Sequence, residues 1–196
     1  MKKSLYVFTP LLLSFILFIS IFSPYVKMSE DISNKVFRLH ILANSNEEYD
    51  QELKIKVRDE VLNLSSDIFA DCSSVKDAVL SANENIEIIS QTVQRIISEN
   101  GYNYIVSAYV TKEYFKTRKY NSFSLPAGIY NSLKIEIGQG KGKNWWCVMF
   151  PSVCISGCSS DFNEVLSDDE IEMIENDKYI VKFKAVEFYE KIKNLR

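Results

Sequence analysis

The N-terminal segment is the strongest constraint on what this chain can become. Lys2 and Lys3 precede an apolar run from Leu5 to Phe22, interrupted only by Thr9, Pro10, Ser14 and Ser20 and closed by Ser23-Pro24. A run without a polar face cannot serve as one side of an amphipathic core helix. It reads instead as an export signal or a membrane anchor. The apolar region of a signal peptide spans roughly 7–15 residues and a spanning helix needs about 20, so a run reaching Val26 lies between the two. No small-residue cleavage site follows it, which favours an uncleaved anchor. The basic N-terminus keeps that end cytoplasmic and sends the rest of the chain across.

The chain beyond this leader suits one globular domain, since 196 residues would be cramped as two. Hydrophobic residues at 46% and charged residues at 25% describe a packed chain, not a disordered one. A net charge of -3 supplies no basic face for nucleic acid, which is excluded as a partner. Export changes how the four cysteines are read, because disulfides become plausible outside the cytoplasm. Cys72, Cys147, Cys154 and Cys158 allow three pairings. Cys147 and Cys154 flank Phe150-Pro151, where a turn can fold the chain back, and closing so short a loop contributes about 2.5 kcal/mol in the chain-entropy model, so this pair is favoured. The spacings are not those of structural zinc and the single histidine, His40, is remote, so no metal site is expected.

Periodicity then orders the elements. From Val36 the chain alternates, with Phe37, Leu39, Ile41 and Ala43 on one face and Arg38 and His40 on the other, more polar one. Ser45, with Glu48 three residues on, predicts a capping box and a helix carrying Tyr49, Leu53, Val57 and Val61. Asn63 to Ser73 reads as a polar, turn-rich link. Val75 to Ile96 holds a helical stripe, as one long helix or two with a bend near Asn83 to Asn85, and Gly101 supplies the C-cap. Strands follow from Tyr104 and from Ser132, and the glycine-rich segment Gly138 to Asn144 predicts a hairpin leading into Trp145 through Phe150. Ser167 to Glu170 is a second capping box, and Val181 to Leu195 closes the chain as an amphipathic helix. These elements predict an α+β fold: one domain with a sheet of about four mostly antiparallel strands and helices packed on one face, preceded by an N-terminal hydrophobic helix. The expected boundaries are 1–28 for the signal peptide or anchor, 33–158 for the domain, and 159–196 for a polar linker and C-terminal helical extension.

Chemistry is sparse. No nucleophile, base and orienter are spaced to converge, and the carboxylate pairs Asp59-Glu60 and Asp168-Asp169 are explained by solvated helix faces and first-turn dipole effects. The loop with Lys141 and Lys143 lacks the Gly-Lys-Ser/Thr order and the following helix of a phosphate cradle. Trp145 and Trp146 must point to opposite faces of a strand, so one can be core while the other is presented to a partner. The expected contact surface is therefore Trp145 or Trp146 with Lys141, Lys143, Arg38 and His40. No enzyme activity, cofactor or small-molecule substrate is expected.

Three blocks carry a resemblance to a known family. Phe37 to Ser45 with Asp50 to Leu62 is similar to a strand, an Ala-Asn-Ser turn and a Leu-Lys-x-Lys-Val-Arg-Asp helix of the stage II sporulation protein R family. Phe123 to Tyr130 is the second block. The third runs from Ile135 to Phe150 and ends on Pro151-Ser152-Val153-Cys154. The resemblance implies a protein exported across the forespore membrane into the intermembrane space. There it would activate a membrane-embedded aspartic protease that processes the mother-cell pro-sigma factor. The competing expectation, from export and aromatic content, is a cell-envelope or peptidoglycan binding or hydrolase module.

Overall fold

The computed structural model describes residues 2–120, 122–151, 162–163, 165–179, 182–184 and 186–188, with side chains in the first helix at positions 10, 12–14, 16–17 and from 20 onward. Helix α1 (Lys2–Lys35) is followed by strand β1 (Phe37–Leu42) and three helices, α2 (Glu48–Ile68), α3 (Val75–Glu84) and α4 (Ile86–Glu99). Strands β2 (Val106–Phe115), β3 (Arg118–Lys119), β4 (Ser124–Leu125), β5 (Gly128–Ile137) and β6 (Asn144–Phe150) come next, then helix α5 (Asp168–Glu175) and a short 3-10 turn (Asp177–Tyr179). The expected α+β class holds. Four strands form a mixed sheet in the order β2-β5-β1-β6, and β3 pairs with β4 as a separate ribbon.

The predicted hairpin between β5 and β6 does not form, because β1 lies between them, parallel to β5 and antiparallel to β6. The glycine-rich segment instead crosses the end of β1. Gly142 donates its N–H to the Ala43 carbonyl at 2.8 Å, Lys141 donates to the Asn44 carbonyl at 3.3 Å, and the Asn44 side-chain oxygen accepts from Gln139 N–H at 3.0 Å. This crossing explains the glycines: Gly138 and Gly140 have φ near +59°, and a Cβ at Gly142 would stand 2.1 Å from the Ser45 carbonyl oxygen.

Local signals for helix ends fare unevenly. Ser45 does not cap α2; its hydroxyl accepts from Glu47 N–H at 3.1 Å, and the helix begins three residues later with no side-chain cap. Helix α2 also runs on to Ile68 through the segment expected to be a link, with Leu62, Leu64 and Ile68 packed on the core. The bend in the next stripe falls at Asn85, between α3 and α4. Gly101, at φ 83°, ends α4 as expected: its N–H reaches the Ser98 carbonyl while Tyr102 N–H reaches that of Ile97, the two bonds of a Schellman cap. At α5 the Ser167–Glu170 capping box is present in both directions. Most of the closing helix expected over Val181 to Leu195 lies outside the described residues.

Both faces of the sheet carry a core. Helices α2 to α4 cover one, where Phe37, Leu39 and Ile41 of β1 meet Leu53, Val57, Ile89, Val93 and their neighbours. The other, on which no packed helices were expected, is covered by Ile32 and Val36 at the end of α1 together with Phe115, Tyr130, Val148, Phe162, Met173 and Phe183. Tyr25 and Met28 of α1 pack against this second core. Further toward the N-terminus, Leu12, Leu13, Ile16, Leu17 and Ile21 are 51–62% exposed. Among the described residues, no helix is long and apolar enough to cross a membrane.

Candidate functional site

Strand alternation sends Arg38 and His40 to the same side of β1, and the strand order decides what meets them there. His40 lies opposite Trp146 on β6 and Lys134 on β5, while Arg38 lies opposite Ser132 and Val148. Both were expected on a polar, partner-facing surface. Both are instead buried, because the second core closes over this face.

His40 is satisfied in its burial. Its ring stacks on Trp146 with centroids 3.8 Å apart. Nδ1 lies 3.0 Å from both carboxylate oxygens of Glu113, and Nε2 lies 3.0 Å from Asn144 Oδ1. Glu113 also accepts from the Ser132 hydroxyl at 2.7 Å. Burial on its own would raise the Glu113 carboxyl, but the hydrogen bonds from His40 and Ser132 and the charges of His40 and Lys134 outweigh it and hold the group below the ordinary glutamate range. A serine, an acid and a histidine thus sit together, yet the serine donates to the carboxylate and not to the imidazole. The imidazole instead bridges Glu113 and Asn144, so the three side chains do not form the Ser–His pair of a serine nucleophile.

Arg38 is satisfied only in part. Its Nη2 donates to the Tyr120 hydroxyl at 2.6 Å, and its guanidinium carbon lies 4.1 Å from the Phe115 ring centre and 4.9 Å from that of Tyr130. Its Nε and Nη1 are buried without a partner. Beside it opens a cleft of about 430 Å³, lined by Arg38, Phe115, Thr117, Asn144 and Trp146, with Lys116 and Arg118 contributing positive charge. The Thr117 hydroxyl is likewise buried and unpartnered.

The structure thus brings three of the expected contact residues together, Arg38, His40 and Trp146, and separates the others. Trp145 points to the opposite face, where it packs on the helical layer under the Arg58 guanidinium at 4.5 Å. Both tryptophans are half-buried, so neither is simply presented to solvent. Lys141 and Lys143 are exposed on the crossing loop. The Lys143 carbonyl accepts from Lys54 Nζ at 3.0 Å. Burial first, and the nearby Lys143 and Arg58 charges second, hold the Lys54 amine below its usual range. Sequence reasoning missed Glu113, Ser132, Thr117 and Asn144. The one available hint was an acid, Glu113, inside a β-rich run, and it gains meaning only once β2, β5 and β1 are known to be neighbours.

Cys147 is buried in β6, whereas Cys72 is a free thiol. Cys154 and Cys158 lie outside the described residues, as does the predicted Cys147–Cys154 pairing. Among the described residues no group of three or more His, Cys, Asp or Glu is placed to hold a metal ion.

Comparison with known proteins gives one consistent result. The family model described as Stage II sporulation protein R matches residues 33–160. A curated Stage II sporulation protein R from Bacillus subtilis (strain 168) is 34% identical over 123 residues, which is 63% of this chain and 55% of that relative. The match therefore spans about half of the relative's own length. No solved structure matches the chain.

Proposed function

Since this chain belongs to the stage II sporulation protein R family, we propose that it is an exported, non-enzymatic sporulation signal that activates a membrane-embedded aspartic protease, which in turn processes the mother-cell pro-sigma factor. The observation that carries this reading is the family match, which runs unbroken over residues 33–160 and so takes in the whole four-stranded sheet and its helical layer. In this reading residues 1–28 direct export across the forespore membrane or anchor the chain to it, and residues 33–158 act in the intermembrane space. The exposed apolar side chains of α1 support it, because Leu12, Leu13, Ile16, Leu17 and Ile21 face outward where a lipid environment would cover them at a gain of about 25 cal/mol per Å². A non-catalytic role agrees with the Ser132–Glu113–His40 network, in which the hydroxyl is directed at the acid.

The proposed contact surface centres on the crossing loop, where Lys141 and Lys143 are exposed, with the accessible edges of Trp145 and Trp146 beside it. A Cys147–Cys154 disulfide belongs to the same reading. The free Cys72 thiol supports it, since Cys72 is then not the partner of Cys147.

The test is cleavage of the pro-sigma factor in a non-sporulating host that expresses the membrane protease, with and without this chain. Processing that depends on this chain, and that falls when Lys141 and Lys143 are both replaced by alanine, supports the reading. No processing by an exported, folded chain with a competent protease overturns it.

A further inference from the structure

We propose that the cleft beside Arg38 is a binding site for a carboxylate, held by the unpaired N–H groups of Arg38, the Thr117 hydroxyl and the Lys116 and Arg118 side chains. The inference stands on geometry alone and does not depend on the role in protease activation.

A guanidinium shut away from water without a counter-ion is among the costliest arrangements a protein can hold, and native structures pair such groups. Arg38 is wholly buried, yet of its three nitrogens only Nη2 has a hydrogen-bond partner. The Tyr120 hydroxyl occupies one N–H of Nη2. The remaining N–H of Nη2 forms a two-donor edge with either Nε or Nη1, both of which are unpartnered. Such an edge matches the two oxygens of a carboxylate. The rings of Phe115 and Tyr130 pack on the guanidinium and hold its plane in place, so little side-chain freedom remains to be lost on binding.

Two further features of the same cleft point to an anion. Thr117 brings a second buried, unpartnered donor into the lining. Among the described residues the lining also contains Lys116 and Arg118 and no acidic side chain, and the nearby Glu113 is committed to His40 and Ser132. Phe115 and Trp146 make the walls partly aromatic. That composition suits a singly charged group next to an apolar moiety, and disfavours a doubly charged, strongly hydrated phosphate.

The carboxylate could belong to a chain terminus or to an acidic side chain, and the two sources can be separated. Full-length protein is titrated with N-acetyl-phenylalanine, with the capped peptide acetyl-Ala-Glu-Ala-amide, with inorganic phosphate, and with N-acetyl-phenylalanine amide as the uncharged control. Binding is followed through the arginine Nε–H and tryptophan indole N–H resonances. Saturable shifts with a carboxylate probe and none with the amide are expected. Tighter binding of the first probe assigns the site to a terminus, and tighter binding of the second assigns it to a side chain. Arg38→Met should abolish binding. Thr117→Val, and Lys116→Ser with Arg118→Ser, should each weaken it by roughly 3- to 30-fold, and these decide the matter if the Arg38 variant does not fold. Equal binding of the amide, phosphate binding at least as tightly, no saturable binding up to about 10 mM, or unchanged affinity in the Thr117 and Lys116/Arg118 variants would each overturn the proposal.

Discussion

Arg38 and His40 face the same burial problem two residues apart and meet it differently. Both ring nitrogens of His40 have partners and its face is covered by Trp146, whereas Arg38 keeps Nε and Nη1 unpaired. The His40 network depends on Glu113, which accepts from two side chains at once. Glu113→Gln should cost ~1–3 kcal/mol at neutral pH, read as a lower urea midpoint with an unchanged slope. The pH dependence has a definite sign. Glu113 is held below the ordinary glutamate value of 4.5, so the stability it contributes is present above that value and is lost as pH falls through its lower folded value. The gap between native protein and Glu113→Gln should therefore narrow below about pH 4.5; a gap that stays constant through this range would mean that the carboxylate charge contributes nothing. Alternation alone showed that Arg38 and His40 share a face. That the face is buried was not legible, because residues covering it, such as Phe162 and Phe183, lie more than a hundred positions away.

At the level of elements, two capping boxes with the same sequence logic had different fates. Ser167 sits in an extended N-cap with no competing partner, so its hydroxyl and the Glu170 carboxylate complete the box, and Glu170 additionally pairs with Lys35 of α1 at 2.7 Å. Ser167→Ala should cost about 1 kcal/mol, measured by chemical denaturation. At Ser45 the chain is already engaged by tertiary contacts: its carbonyl accepts from the Gln51 side chain and lies against Gly142. A local cap cannot form where the backbone is held by the crossing loop. The same crowding makes Gly142 the most sensitive loop position. Gly142→Ala should cost about 3 kcal/mol, the upper end for overpacking, and should be much worse than Gly140→Ala in added steric conflict, because a Cβ at 140 meets nothing closer than 3.7 Å. Gly140→Ala still carries the strain of its positive φ. Equal melting temperatures for the Gly142 variant and the native chain would show that the loop does not rest on β1.

On the scale of the molecule, the sheet is a partition between two cores, and α1 belongs to the fold only over its last turns. Ile32 is wholly buried in the second core, while Leu12 and Leu13 are about 60% exposed. Ile32→Ala should therefore destabilise by ~2–5 kcal/mol, and Leu12→Ala should stay within about 0.5 kcal/mol, in urea titrations of the purified chain. Comparable losses at both positions would imply that the outer part of α1 also packs on the domain. The contrast lies within one helix: its end completes a core, while Leu12, Leu13, Ile16, Leu17 and Ile21 are exposed.

The sequence by itself determined the elements whose signals are local. Period-two runs became strands, the stripe from Val75 to Ile96 became two helices broken at Asn85, Gly101 closed the second of them, and Ser167 opened α5. These outcomes come from contacts between residues a few positions apart, which the order of side chains specifies directly. Only the tertiary structure decided that β1 would stand between β5 and β6, that the glycine loop would cross it instead of turning a hairpin, and that Arg38 and His40 would be enclosed. Strand order is set by which long-range pairings bury the most apolar surface while satisfying the backbone, and a parallel pairing such as β1 with β5 joins segments separated by three helices and three strands. No local pattern encodes that choice, so the partners of a buried charge emerge only when distant strands are brought side by side.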